Sequence, residues 1–202
     1  MSRVSVFLIV VSAALSACGS DTTSVGNLLI SSDLTDNWEI FAMDPKSPIL
    51  HQVTNEGPYI VAGASQSEVE GFDFEGTWSP DGRQIALTSD RYMGFHLLIV
   101  DRDGQVLERL TTEPGNGEPS WSPDGQWILF EANGALYLMR CDGSGLRQLT
   151  QSVGSVPAWS PDGYWVAFEA DGNIYLMHPD GSGLQQMTQN LAADWNPQWS
   201  PD

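Results

Sequence analysis

Short apolar runs separated by clusters of Gly, Pro, Asp and Ser make up most of the chain after residue 27. Turn residues recur at intervals of about 8–12 residues and no stretch follows the helical period, a combination typical of all-β proteins. Some runs, such as Ile128–Phe130 and Leu136–Met139, are apolar at every position. A sheet with one face in water would alternate apolar and polar residues. We therefore predict short strands in sheets that are covered on both faces.

A repeated pentapeptide orders these strands. Trp-Ser-Pro-Asp-Gly occupies 78–82, 121–125 and 159–163, and Trp199 begins it again, at spacings of 43, 38 and 40 residues. The pattern predicts four strands in each unit, which we call a to d. Strand a ends at the Trp, and Ser-Pro-Asp-Gly forms a type I turn because Pro fixes φ at its second position. The predicted b strands cover 84–89, 127–132 and 165–170, the c strands 96–100, 136–139 and 174–177, and the d strands 146–150 and 184–188.

The recurrent Trp and Asp residues have a structural interpretation and a functional one. Each Trp stands at one fixed point of its unit, as a residue that packs between units would, and a ligand platform is the alternative. These residues are Trp78, Trp121, Trp159 and Trp199. The turn accounts for the recurrent Asp81, Asp124 and Asp162, and metal ligation is the alternative.

The unit resembles the propeller repeat of TolB-type periplasmic proteins, a relative of the WD repeat. The shared pattern is Trp-Ser-Pro-Asp-Gly, an apolar strand, Ile-Tyr-Leu-Met, Asp-Gly-Ser and Leu-Thr; residues 121–188 follow it nearly throughout and 27–112 more loosely. The resemblance implies an all-β β-propeller of four-stranded antiparallel blades. About four repeats are present and TolB-like propellers usually have six blades, which favours part of a larger ring. Closure of four blades, with 196–200 as strand a of the first, is the alternative.

The first residues predict export and a lipid anchor. Arg3 precedes the apolar run Val4–Val11, which is too short to cross a bilayer as a helix. The run leads to Leu15-Ser16-Ala17-Cys18, which looks like a lipobox in which Cys18 is lipidated and becomes the mature N-terminus; an ordinary signal peptide is the alternative. The predicted organisation is a signal peptide at 1–17, a tether at 18–26, and repeats over 27–202, namely 27–54, 78–112, 121–150, 159–188 and a start at 199. The first repeat is expected to lack strand a.

The charge of the chain limits its partners. Lys and Arg number 8 against 26 Asp and Glu, a net charge of −18. A body this acidic repels nucleic acid and anionic lipid surfaces, so no nucleic-acid partner is expected. Membrane attachment is expected through acyl chains at Cys18, which places the protein in the bacterial envelope, periplasmic or at the outer membrane. The charge also suits a basic partner, and solubility is the simpler explanation.

The sequence predicts no catalytic, cofactor-binding or metal-binding residue. His51, His96 and His178 fall at three different points of the repeat and do not have the spacing of metal ligands. No Gly-x-Ser-x-Gly, His-Glu-x-x-His or phosphate-binding loop is present. With Cys18 lipidated, Cys141 has no disulfide partner. We therefore expect a protein that is not an enzyme.

One linker is much longer than the others. It has 23 residues between Thr54 and Trp78, against 8 to 10 elsewhere. Insertions in repeat proteins map to one face, often the binding face. The predicted partner-binding loop consists of Glu68, Glu70, Asp73 and Glu75, and an ordinary acidic loop is the alternative. Neutralising these acids is expected to leave the melting temperature nearly unchanged. The b–c loop 89–95 is expected on the same face.

The resulting functional hypothesis is a lipid-anchored, TolB-like envelope propeller that acts as a protein-binding or scaffolding module. Its expected partners are envelope proteins, basic ones among them. One alternative is the propeller of a prolyl-oligopeptidase-type serine peptidase whose hydrolase domain lies outside these residues. Another is a sensor of a small ligand or a sugar.

Overall fold

The blades predicted from the repeat are present as separate sheets. The computed structural model describes residues 9–11, 28–32, 34, 37–55, 59–60, 68–69, 71–151, 154–189 and 192–201. Over these residues the chain forms strands and turns and no helix. Four antiparallel four-stranded sheets follow one another, with a two-stranded ribbon between the first and the second. The all-β propeller architecture predicted from the sequence is confirmed.

We call the four sheets blades 1 to 4. Blade 1 contains β1 (Ile9–Val11), β2 (Leu28–Ser32), β3 (Glu39–Asp44) and β4 (Ser47–Gln52), and the ribbon contains β5 (Tyr59–Ile60) and β6 (Glu68–Val69). Blade 2 contains β7 (Asp73–Trp78), β8 (Gln84–Ser89), β9 (His96–Asp101) and β10 (Val106–Arg109). Blade 3 contains β11 (Asn116–Trp121), β12 (Trp127–Ala132), β13 (Ala135–Arg140) and β14 (Arg147–Gln148). Blade 4 contains β15 (Ser155–Trp159), β16 (Val166–Ala170), β17 (Asn173–Met177) and β18 (Gln185–Gln186).

The predicted strand positions are confirmed most closely where turn residues bound the strand. β8 and β12 have the predicted bounds, and strand a ends at the Trp in blades 2, 3 and 4. The d strands are shorter than predicted, since β14 and β18 pair over two residues each. A d strand is the edge of its sheet, so it has hydrogen-bonding neighbours on one side and turn chemistry alone does not set its length.

The core lies between blades, which is why the b and c strands are apolar on both faces. In blades 2, 3 and 4, strand a contacts the sheet before it, and apolar side chains of the two sheets pack together. The interfaces include Leu29 and Ile40 against Trp78, Leu97 and Ile99 against Trp121, and Leu136 and Leu138 against Phe168. Stacking neighbouring units buries a continuous apolar core, as the repeat predicted.

At the ends of the array the structure corrects one expectation, the missing strand a of the first repeat, and does not support the alternative of a closed ring. Blade 1 does have a strand a, because β1 pairs antiparallel with β2 and places Val10 opposite Ile30. This strand comes from the segment predicted to be a signal peptide. The four blades do not close into a ring: among the described residues blade 4 has no contact with blade 1. Residues 196–200 form no strand, and the Trp199 indole N–H donates to the Ala158 carbonyl, 3.1 Å away, in blade 4.

Candidate functional site

The repeated turns are structural elements. Ser79 Oγ donates to Asp81 Oδ1 over 2.7 Å and accepts from the Gln84 N–H over 3.0 Å, and the Gly82 N–H donates to the Ser79 carbonyl. The same bonds recur around Ser122 and Ser160. The serine hydroxyl lowers the pKa of Asp81, as expected for a carboxylate held by hydrogen bonds. The turn interpretation of the repeated Asp residues is therefore confirmed.

The repeated Trp residues pack between blades. Trp78 and Trp121 are 6% and 8% exposed and belong to the clusters that join blades 1 and 2 and blades 2 and 3. Trp159 is half-buried against the cluster between blades 3 and 4. These side chains are core residues, and the ligand-platform alternative is not supported for them.

The end of the long linker is anchored in blade 2. Asp73 is fully buried and forms an ion pair with Arg91, whose Nε donates to Asp73 Oδ1 over 3.2 Å. The Asp90 carboxylate accepts the Phe72 N–H, and the Asp90 N–H donates back to the Phe72 carbonyl. The Asp73 N–H also reaches the Trp38 carbonyl of blade 1, 2.7 Å away. The described end of the linker and the b–c loop of blade 2 therefore lie together, as the sequence predicted.

The b–c loop of blade 2 is longer than its counterparts and is held rigidly. It covers 90–95, whereas residues 133–134 and 171–172 make this connection in blades 3 and 4. Gly94 has a φ of +117°, and a Cβ there would lie 2.6 Å from the Pro114 Cβ. The Phe95 carbonyl accepts the N–H groups of Gly115 and Asn116. Glycine is thus required where this loop presses against the linker to blade 3.

Four apolar side chains are exposed on these two segments. Phe72, Tyr92, Met93 and Phe95 are 36%, 41%, 70% and 45% exposed, and we call them the loop surface. The Phe95 ring meets Phe74 edge-on, with centroids 5.2 Å apart. The Arg109 guanidinium lies 4.6 Å from the Tyr92 ring centroid, a cation–π geometry. The loop surface is therefore apolar where it is exposed, and contacts with Phe74 and Arg109 hold its Phe95 and Tyr92 rings.

His96 is buried beneath Tyr92 of the loop surface, and its lowered pKa favours the neutral imidazole. It is 1% exposed and meets the Tyr92 ring edge-on. Burial, and then the neighbouring Arg109 cation, lower the pKa of His96. A neutral imidazole below Tyr92 adds no charge to the surface.

The four acids of the predicted partner-binding loop do not form one exposed group. Asp73 is buried in the ion pair, and Glu75 lies half-buried on β7 with its carboxylate bonded to blade 3. Glu68 lies in β6, whereas Glu70 is outside the described residues. Removing the Asp73 carboxylate would take a buried ion-pair partner away from Arg91, so for this residue we expect the melting temperature to fall.

Cys18 and most of the predicted signal peptide and tether lie outside the described residues. Within the part of the chain that the structure does describe, no helix is long and apolar enough to span a bilayer. The same residues contain no group of three or more His, Cys, Asp or Glu side chains placed to bind a metal ion. Cys141 is half-buried and packs against the cluster between blades 2 and 3.

Sequence reasoning missed two features of this region. It named the b–c loop but not its aromatic residues, although the length of the loop relative to the two-residue turns was visible. It also missed Glu118, which occupies the same place as Glu75, three residues before the Trp. Aligning the units on the Trp would have shown both glutamates at one repeat position. No feature of the sequence pointed to Arg91, because folding alone brings it to Asp73.

Comparison with known sequences gives partial matches. No protein-family model matches the chain. Over 80 residues it is 36% identical to an uncharacterized protein of Agrobacterium fabrum, which covers 37% of this chain and 27% of that protein. Over 54 residues it is 46% identical to an uncharacterized peptidase of Bacillus subtilis, covering 26% of this chain and 8% of the peptidase. The matches are thus confined to small parts of longer proteins.

Comparison with solved structures shows that the chain has a TolB-like β-propeller fold. A protein assigned as TolB from Agrobacterium tumefaciens superposes with a TM-score of 0.72 at 20% identity, covering 88% of this chain and 63% of that one. TolB from Acinetobacter baumannii gives a TM-score of 0.68 at 18% identity, covering 85% and 43%. The chain spans less than two thirds of each TolB protein. The TolB-like propeller fold that the repeat predicted is confirmed.

Proposed function

We propose that this chain is a non-catalytic, lipid-anchored propeller of the cell envelope that binds a basic protein partner through the loop surface. The observation that supports this function is the exposure of Phe72, Tyr92, Met93 and Phe95 on segments that a buried ion pair holds in place. Exposed apolar groups on a rigid scaffold are typical of interaction sites. The likeness to TolB proteins, which are periplasmic, supports the envelope as the location.

The charge of the chain supports a basic partner. Its net charge of −18 creates a negative field that attracts a cationic protein and accelerates its association, particularly at low salt. The apolar side chains would then supply the contacts that slow dissociation. Glu68 and Glu70, which lie next to this region in sequence, remain the proposed acidic part of the partner-binding loop.

The test compares two double substitutions in capture experiments with envelope extract. Phe72→Ser with Met93→Ser removes two side chains of the loop surface. The control, Leu146→Ser with Leu184→Ser, removes two exposed leucines, 58% and 60% exposed, that directly precede the d strands of blades 3 and 4, away from the loop surface in sequence. We expect the first variant to lose a salt-sensitive partner that the control retains. Equal capture by both variants and the wild type, with unchanged melting temperatures, would refute the loop surface as the binding site.

The lipid anchor has its own test. Intact-mass measurement of the protein from membranes should show a diacylated Cys18 as the first residue, and Cys18→Ser should release or misprocess the protein. An unmodified Cys18 would contradict the anchor. Cleavage before Cys18 would also remove β1, so the edge of β2 would be left without its partner strand in the mature protein.

A peptidase propeller is the second candidate function. The observation in its favour is the 46% identity over 54 residues to the Bacillus subtilis peptidase. This function requires a catalytic domain elsewhere in the gene product. Labelling of the endogenous gene product by a fluorophosphonate probe would support it, and absence of labelling would favour the binding module.

A further inference from the structure

The third residue before each repeated Trp has an unusual backbone conformation. Glu75, Glu118, Val156 and Asn196 have φ values of +57°, +53°, +48° and +55°. In blades 2, 3 and 4 the pairing of strands a and b shifts register around this position, as at a β-bulge. A bulge re-aims the side chain of the residue that it contains. Here it points the side chain toward the next blade.

The two glutamates at this position connect consecutive blades. Glu75 Oε2 accepts the Glu118 N–H over 2.8 Å and the Thr88 hydroxyl over 2.9 Å. Glu118 Oε2 in turn accepts the Val156 N–H of blade 4. Each carboxylate therefore bonds the backbone of the next bulge, so the inner strands of blades 2, 3 and 4 are joined in series. The series ends at Val156, which has no carboxylate.

The environment of these carboxylates is acidic. The charged groups that face Glu118 are Glu75 from β7, Glu131 from β12 and Glu169 from β16, all of one sign. We call these four residues the glutamate row. Burial raises the pKa of Glu118 to about 7; the Val156 N–H bond opposes this shift, and repulsion from the other three glutamates adds to it. Burial also raises the pKa of Glu75. Ionisation near neutral pH therefore opposes the arrangement that the hydrogen bonds favour.

We propose that the glutamate row is a proton-operated latch that tightens the joints between blades 2, 3 and 4 as the pH falls through neutrality. Protonation of Glu118 removes one of four like charges and leaves its carbonyl oxygen to accept the Val156 N–H. The device acts inside the propeller and is independent of the loop surface.

The sign of the pH dependence follows from the direction of the shift. A carboxyl whose pKa is raised by folding binds its proton more tightly in the folded state. The folded state is therefore penalised above pH 7, and the penalty disappears as the pH falls toward the ordinary value of 4.5. A carboxyl group with an unshifted or lowered pKa would not make the folded state more stable on mild acidification.

The decisive measurement is a titration of the Glu118 carboxyl by NMR on carbon-labelled protein, in EDTA so that no metal ion neutralises the row. We expect a midpoint near pH 7, and a midpoint near 4.5 would overturn the proposal. In parallel, protection of the Val156 amide against hydrogen exchange should fall about tenfold from pH 6 to pH 8, after correction for base catalysis.

Substitution separates the latch from a general effect of acid. Glu118→Gln keeps an acceptor oxygen without charge, so its melting temperature should vary little between pH 6 and 8 and exceed that of the wild type at pH 8. Glu108→Gln, at an exposed position on β10, should keep the wild-type pH profile. The same pH profile for Glu118→Gln and the wild type would also overturn the proposal. If Glu118→Gln does not fold, the wild-type titration decides.

Discussion

Among the described residues other than glycine that have a positive φ, Val156 is the only β-branched one. Its φ of +48° lies in the left-handed region, where β-branched residues are rarely found. The equivalent position in the following repeat holds Asn196, a residue type that adopts this conformation with less strain. The bulge itself is needed at this place, because the Val156 N–H is the group that bonds Glu118. Val156 therefore keeps a strained backbone conformation while making this hydrogen bond.

Val156→Asn should raise the free energy of unfolding by about 1 kcal/mol, because it relieves this strain and keeps the backbone bond. Val156→Ala is the matched control, since alanine loses the branched side chain but gains little tolerance of positive φ. Urea denaturation of both variants measures the difference. A Val156→Asn protein no more stable than Val156→Ala would mean that the bulge is not strained.

At the scale of the element, the Ser-Pro-Asp-Gly turn depends on its serine more than on its aspartate. Ser122 is 2% exposed, and its hydroxyl accepts the Trp127 N–H at the start of β12. It also donates to Asp124 over 2.6 Å, and the Asp124 carboxylate in turn accepts the Gln126 N–H. The serine thus joins both sides of the turn, and one hydroxyl fixes where strand a ends and strand b begins.

Ser122→Ala should lower the free energy of unfolding by about 1–3 kcal/mol, because it leaves the partly buried Trp127 N–H without its acceptor. Ser144→Ala, in the exposed turn before β14, should change it by less than about 0.5 kcal/mol. Thermal and urea unfolding of the two variants gives the comparison. Equal losses from both substitutions would show that the serine hydroxyl contributes no more in the buried turn than in the exposed one.

The shifted carboxyl groups of these turns contribute to stability against acid. Hydrogen bonds from Ser79 and Ser160 lower the pKa of Asp81 and of Asp162. A lowered pKa stabilises the fold above the ordinary value of 3.8, and this contribution is lost as the pH falls through the lowered values. The turns and Glu118 therefore act in opposite directions, which places the expected stability maximum between the two pH ranges.

At the scale of the whole molecule, stability comes from the joints between blades. Each joint buries a Trp of one blade against the sheet before it, and a buried Trp removes roughly 150–250 Å² from water. Trp195, by contrast, is 72% exposed and lies outside these joints. Substituting a Trp in a joint and, separately, Trp195 therefore distinguishes the loss of packing between blades from the loss of an indole ring as such.

Trp121→Ala should lower the free energy of unfolding by roughly 3–5 kcal/mol, the range for truncating a buried aromatic side chain. Trp195→Ala should change it by no more than about 0.5 kcal/mol. Urea melts followed by circular dichroism test both. A Trp121→Ala protein as stable as the wild type would refute packing between blades as the role of the repeated Trp.

The sequence by itself determined the repeat, the strand bounds next to the Trp-Ser-Pro-Asp-Gly turns and the packing role of the Trp. These features follow from local chemistry: proline fixes φ, glycine accepts positive φ, and the apolar pattern of β8 and β12 needs cover on both faces. The position of the long linker's described end beside the 89–95 loop followed from the connectivity of a blade, which the repeat had already defined.

Tertiary structure alone decided what lies between residues distant in the chain. Asp73 belonged to the predicted acidic loop, but Arg91, 18 positions later, withdraws it into a buried ion pair. The pKa of Glu118 is raised because folding buries its carboxyl group and brings Glu75, Glu131 and Glu169 near it. Burial and Coulomb interactions depend on distances in space, which a single sequence does not contain. For the same reason β1 was not foreseen. An apolar run that resembles a signal peptide can also form a strand, and here it pairs with the edge strand β2.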